Sequence, residues 1–131
     1  MALLHGDITE SIIGAAMEVH RVLGRGCLEA VYQEALEIEL RRRGVLFVAQ
    51  AELALEYKGT ILKHKYKPDL LVDGKVVVEL KALAKLTTIE YAQAINYLKG
   101  TGYEVALIIN FGAASLEWKR LVLDKYETKS V

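Results

Sequence analysis

Between Lys67 and Lys81 three charged residues interrupt two apolar strands: Asp69, Glu79 and Lys81. The stretch Lys67-Pro68-Asp69-Leu70-Leu71-Val72-Asp73-Gly74-Lys75-Val76-Val77-Val78-Glu79-Leu80-Lys81 reads as a hairpin turning at Asp73-Gly74. Strand side chains alternate faces, so Glu79 and Lys81 share one face while Val76, Val78 and Leu80 take the other. In so apolar a strand, charge is costly unless it is paired or bound to metal. Two carboxylates and a lysine suit metal-assisted phosphodiester hydrolysis. Mg²⁺ or Mn²⁺ takes hard oxygen ligands and keeps several waters, which Asp69 and Glu79 could support with the Leu80 carbonyl. A bound metal makes a water acidic and screens phosphate charge, and Lys81 could position that water or stabilise developing charge. The same acids and lysine would otherwise be surface ion pairs of little worth.

The metal reading sets a geometric condition. A two-residue loop would place Asp69 opposite Val78, on the wrong face. An odd loop returns it to the face of Glu79, and Val72-Asp73-Gly74 with Gly74 left-handed is the expected form.

The elements around this hairpin follow from period and punctuation. Asp7-Ile8-Thr9-Glu10 has the spacing of a capping box and predicts a helix to about Leu23, ended by Gly24-Arg25-Gly26. A second helix is predicted from about Leu28 to Arg43, stopped by Gly44. Val45 to Val48 is a short apolar run, and alternation then predicts strands over 51–57 and from Ile61. The Lys67 stretch is then either the next hairpin or a continuation of the strand from Ile61 past Pro68, which marks an edge, a bend or a strand start. Thr87-Thr88-Ile89-Glu90 is another capping box, opening a helix from about Thr88 to Lys99 that ends at Gly100. Tyr103 to Asn110 reads as a buried central strand and Leu116 to Leu123 as the last one. A helix between the Glu79 strand and the Tyr103 strand makes part of the sheet parallel.

Composition bounds the rest. The 131 residues suit one domain, with a core at about 7–123 and a frayed polar tail at 124–131. Hydrophobic residues make up 53%, which argues against disorder, and no apolar run is long enough to span a bilayer. The single cysteine, Cys27, fits a reducing compartment, so a cytoplasmic protein is expected. Net charge is zero, so no global field steers the chain to nucleic acid. The charge is unevenly spread, though. Arg41, Arg42, Arg43, Lys58, Lys63, Lys65 and Lys67 stand against only Glu52 and Glu56 over residues 41–67. Either they form a solvated face, or Arg41, Arg42, Arg43, Lys63, Lys65 and Lys67 flank the site as a phosphate-binding surface.

Pro68-Asp69, then Glu79, Leu80 and Lys81, resembles the signature of the PD-(D/E)XK nuclease superfamily. Gly26-Cys27-Leu28-Glu29-Ala30-Val31-Tyr32 resembles the motif of its GxxExxY family, as do the segment 19–24, the helix carrying Ala92-Gln93 and Asn96 to Lys99, and Asn110-Phe111-Gly112. The likeness runs from about residue 7 to 123. It implies an α/β fold with a restriction-endonuclease-like core, a mixed β-sheet flanked by helices (α/β/α). It implies Asp69 and Glu79 as metal ligands for Mg²⁺ or Mn²⁺, Lys81 as the catalytic lysine, and Glu29 as an acid contributed by the first helical region. Gln93 and Tyr97, one turn apart, match the glutamine-and-tyrosine helix of exonuclease-like branches. Each keeps a structural alternative: Glu29 as a first-turn acid favoured by the helix dipole, Gln93 as an ordinary helix residue, Tyr97 as a core aromatic with its hydroxyl at the rim, Tyr32 as packing.

The function implied is a metal-dependent nuclease acting on nucleic acid, with DNA the expected substrate. The alternative is a catalytically silent module of the same fold that binds nucleic acid or a protein. The apolar content also suits a homodimer in which two protomers build one channel.

Overall fold

The computed structural model describes residues 3–123. Its elements run α1 (Gly6–Leu23), α2 (Glu29–Arg42), β1 (Phe47–Ala49), β2 (Leu53–Tyr57), β3 (Thr60–Tyr66), β4 (Leu70–Val72), β5 (Val76–Lys81), α3 (Thr88–Thr101), β6 (Val105–Asn110) and β7 (Glu117–Val122). Five strands form a mixed sheet in the order β1-β4-β5-β6-β7. Among the described residues only β5 and β6 pair in parallel, joined through α3 as the helix between them predicts. The fold is the α/β arrangement expected, a mixed sheet with helices on both faces.

The apolar residues divide between those faces by strand parity. Val76, Val78, Leu80, Val105, Leu107 and Ile109 pack with Ile12, Ala15, Ala16 and Val19 of α1 and Tyr32, Leu36 and Leu40 of α2. Leu71, Val77, Ala106 and Ile108 pack with Ala94 and Leu98 of α3 and with Leu53 and Tyr66 of the β2–β3 hairpin. The predicted tail over 124–131 lies outside the described residues.

One open reading is resolved and three expectations shift. First, of the two readings left open at Pro68, β3 does not continue into β4. It ends at Tyr66, and β2 and β3 form a separate two-stranded sheet. Pro68 lies buried at the break, where its missing N–H cannot extend a ladder. Second, α1 has no capping box at Asp7. The helix begins at Gly6, with His5 left-handed at φ 53 and without a side-chain cap, so Asp7 sits inside the first turn. An acid there still suits the helix dipole. Third, α3 carries the predicted box at Thr87 and Glu90 but runs through Gly100, stopping at the left-handed Gly102 (φ 84). Fourth, the hairpin loop lies one residue later than expected. Val72 pairs with Val76, leaving Asp73, Gly74 and Lys75 in the loop. Asp73 and Gly74 both take positive φ, 53 and 66, and Lys75 N–H bonds the Val72 carbonyl at 3.0 Å. The residue count stays odd, which is what the face of Asp69 depends on.

Candidate active site

The register Leu70↔Val78 places Asp69, one step further, across from Glu79. Both therefore point to the sheet face that α3 covers, as does Lys81. The Leu80 N–H donates to Asp69 Oδ2 at 2.7 Å, tying the first carboxylate to the strand that carries the second. Two further bonds hold the Asp69 backbone carbonyl: Gln33 Nε2 at 3.0 Å and the Gln50 N–H at 3.2 Å. Asp69 is thus fixed by α2, by the segment after β1 and by β5.

Both acids are half-buried. Burial raises the pKa of Asp69, against the Leu80 N–H bond and the Lys81 charge that lower it. Burial also raises Glu79, and the Asp69 charge beside it adds to the rise. Tyr66 donates its hydroxyl to Glu79 Oε1 at 2.9 Å. Its own pKa is driven far upward, first by burial and then by the Glu79 charge, so this hydroxyl stays a donor. Among the described residues no ion pair joins Lys81 to either acid. The lysine is close enough for its charge to act on both and is not consumed by either.

Glu79 and Lys81 line a small cleft with Tyr66, Glu90, Gln93 and Tyr97. Gln93 and Tyr97 come from one face of α3 at i and i+4. The ring of Tyr97 stacks on Tyr66, with centroids 3.9 Å apart and planes at 7°. The cleft lies where the carboxyl end of β5 meets α3 and the end of β3. Glu29 opens α2 in an exposed position. It precedes Gln33, which reaches the Asp69 carbonyl, by one turn on the same helix face. Among the described residues no group of three or more His, Cys, Asp or Glu is assembled to hold a metal. The oxygen donors converging here are the two facing carboxylates. Mg²⁺-like ions need only one or two, since they retain water, so the donor set fits.

The structure separates the basic residues. Arg41, Arg42 and Arg43 lie at the far end of α2 from Glu29, roughly 18 Å along the helix at ~1.5 Å per residue. Arg41 pairs with Glu37 and Arg43 with Glu39. They are not beside the cleft, because α2 begins at the site and runs away from it. Lys67 pairs with Glu52 at 3.2 Å. Lys63 and Lys65 are exposed on β3, on the hairpin face opposite Tyr66.

The remaining motif residues build the frame. Tyr32 stacks on Phe111 at 4.6 Å, donates its hydroxyl to the Gly24 carbonyl at 2.6 Å and accepts the Cys27 N–H at 3.1 Å. It pins the loop that leads into Glu29. Asn110 is fully buried; its side chain accepts from the Leu83 and Gly112 N–H groups and donates to the Leu83 carbonyl and to Glu117 Oε1. That network holds the connector directly after Lys81. A side chain on Gly112 would meet the Leu83 backbone at 2.4 Å, so only glycine lets the connector pass there. Sequence reasoning missed Tyr66 and Glu90. Tyr66 was legible as an inward position three residues before Asp69, but nothing local named Glu79 as its partner. Glu90 was legible only as a helix cap.

Residues 6–121 match the PD-(D/E)XK nuclease superfamily. Among solved structures, the chain superposes on SSO0001 with a TM-score of 0.57 and 16% identity, over 94% of this chain and 62% of that one. It thus spans under two thirds of the length of SSO0001. LHK-Exo in complex with dAMP matches with a TM-score of 0.50 and 12% identity, over 92% of this chain and 85% of that one. A further structure of LHK-Exo, an alkaline exonuclease from Laribacter hongkongensis, gives a TM-score of 0.44 at 17% identity, over 98% of this chain and 75% of that one. At these identities the likeness is one of fold. Comparison with curated proteins finds no match.

Proposed function

The chain belongs to the PD-(D/E)XK nuclease superfamily, and we propose on that premise that it is a divalent-metal-dependent nuclease acting on DNA, of the GxxExxY type. The observation that supports this most is the facing of Asp69 and Glu79 across one register step, with Lys81 two residues on and unpaired with either. Two half-buried carboxylates, both disfavoured as anions by burial and Glu79 also by the Asp69 charge, form a donor set that a cation would relieve. They would hold Mg²⁺ or Mn²⁺, with the Leu80 carbonyl as a further oxygen ligand. When bound, the ion would supply an acidified water and a counter-charge for the phosphate.

The chain's own residues do the rest. Asp69 is held by Leu80, Gln33 and Gln50, so its carboxylate is placed before any ligand arrives. Lys81 offers a positive charge and three donors to a phosphate oxygen or to the attacking water. Gln93 offers an amide to the substrate from the cleft wall. Glu29, one turn before Gln33 on α2, would orient water or a second ion. Lys63 and Lys65, exposed on the outer face of the hairpin that leads into Pro68-Asp69, would attract the phosphate backbone of the nucleic acid to that side of the chain. Their contribution should weaken with salt.

The test is cleavage of end-labelled single- and double-stranded DNA, with RNA of the same sequence alongside, in Mg²⁺, Mn²⁺ or EDTA. Metal-dependent DNA cleavage is expected, lost in Glu79→Gln and Lys81→Ala proteins that keep the wild-type melting temperature. Cleavage that persists in both variants, or no cleavage of any strand in either metal, would overturn the reading.

A further inference from the structure

We propose that Tyr66 is a positioning residue for the Glu79 carboxylate, and that Tyr97 serves the site by holding the ring of Tyr66 rather than by touching substrate. The inference rests on the metal-site reading above and goes beyond it to a residue outside the acid–acid–lysine pattern.

Tyr66 ends β3, a strand of the hairpin that has left the main sheet. It is only 6% exposed, and its hydroxyl donates to Glu79 Oε1 at 2.9 Å. A glutamate has several rotatable bonds, and a half-buried one next to another acid has reason to swing away. The Tyr66 bond opposes that swing. It occupies one of about four lone-pair sites on the carboxylate, and with the Asp69 backbone N–H also bearing on the group, sites still remain for a cation. Bonds of this kind around metal ligands set ligand orientation.

What fixes Tyr66 itself is visible. Its backbone pairs with Leu53 of β2, and its ring lies flat on Tyr97 at 3.9 Å and 7°. Tyr97 is carried by α3, the helix that also presents Gln93. The line of contact therefore runs from α3 through two rings to one oxygen of Glu79. In this line the face of Tyr97 is used and its hydroxyl is not. Among the described residues, the Tyr97 hydroxyl takes part in no protein hydrogen bond.

Four proteins separate this from a merely structural role: wild type, Tyr66→Phe, Tyr97→Phe and Glu79→Gln. Mn²⁺ binding is read by calorimetry and by the loss of the free-ion paramagnetic signal, with a melting curve for each. Tyr66→Phe keeps the ring and the stack, so it should fold as wild type does. Its Mn²⁺ affinity should fall by about 10–100-fold, the range seen when outer-shell partners are removed. Saturating Mn²⁺ should restore most of its cleavage rate. Tyr97→Phe keeps the ring face and should match wild type in affinity. Unchanged Mn²⁺ affinity in Tyr66→Phe would overturn the inference and leave the nuclease reading standing. A Tyr97→Phe defect as large as that of Tyr66→Phe would overturn the assignment of Tyr97. If wild type and Glu79→Gln both fail to bind Mn²⁺, the metal-site reading falls, and the positioning role with it.

Discussion

The two faces of the central sheet draw on the same strands and reach opposite chemistry. Under α1 and α2, β5 contributes Val76, Val78 and Leu80, all but fully buried. Under α3, the same strand contributes Val77, then Glu79 and Lys81, both only half-buried. The first face is closed along its length by two helices. The second is closed by α3 over Val77, Ala106 and Ile108, but at the carboxyl end of β5, α3 and the end of β3 with Tyr66 leave a small cleft. Charge sits where that cover opens into the cleft. The frame can therefore be rigid and dry on one side while the other keeps two acids short of their preferred solvation.

The sharpest way to break this division is to disturb each face in turn. Glu79→Gln should lower cleavage by roughly 10³-fold, the scale of losing one electrostatic stabiliser of a transition state. It should leave the melting temperature level or higher, since it removes a carboxylate that burial disfavours. A melting temperature that fell as far as that of a core variant would show the two faces to be one. Leu107→Ala, on the closed face, should do the reverse. Leu107 is fully buried among the α1 and α2 contacts, and truncation there costs about 3 kcal/mol. Its Mn²⁺ affinity, measured well below the transition, should equal that of wild type.

A smaller effect tests the join between the faces. Tyr32→Phe removes the hydroxyl that bonds the Gly24 carbonyl and the Cys27 N–H but keeps the stack on Phe111. A loss of about 1–2 kcal/mol in denaturant unfolding is expected for those two groups. Cleavage should fall only as far as Glu29 loses its place. This residue also shows what sequence could and could not reveal. Period, caps and the helix between β5 and β6 were enough for the mixed sheet and the parallel pair. The odd loop was enough to bring Asp69 and Glu79 to one face, although it lies one residue later than read. Spacing on one helix was enough to bring Gln93 and Tyr97 together. What stayed open or failed was long-range: whether β3 runs on past Pro68 was undecided, and neither the meeting of Tyr66 with Glu79 nor the way α2 carries Arg41 to Arg43 away from the cleft was legible. Each depends on where an element is aimed, which neither alternation nor local charge encodes.

The smallest expected effect is the pH dependence that only the charged face should show. Asp69 and Glu79 both have pKa values raised by folding, first through burial. A carboxyl raised in this way favours the folded state most when protonated. Its contribution is complete below the unfolded pKa and is lost as pH rises through the folded one. Metal-free wild type should therefore lose stability relative to Glu79→Gln as pH climbs out of the ordinary carboxylate range towards neutrality. The drift should amount to a few degrees of melting temperature. Glu117 has the opposite sign, lowered first by its bond from Asn110, but it is common to both proteins and cancels in the difference. Mn²⁺ should reverse the trend, because binding requires the deprotonated acids and grows as they ionise. A wild type and variant whose melting curves run parallel across this range, with and without Mn²⁺, would mean that burial at Glu79 is matched in the unfolded chain. The charged face would then carry no more strain than the closed one.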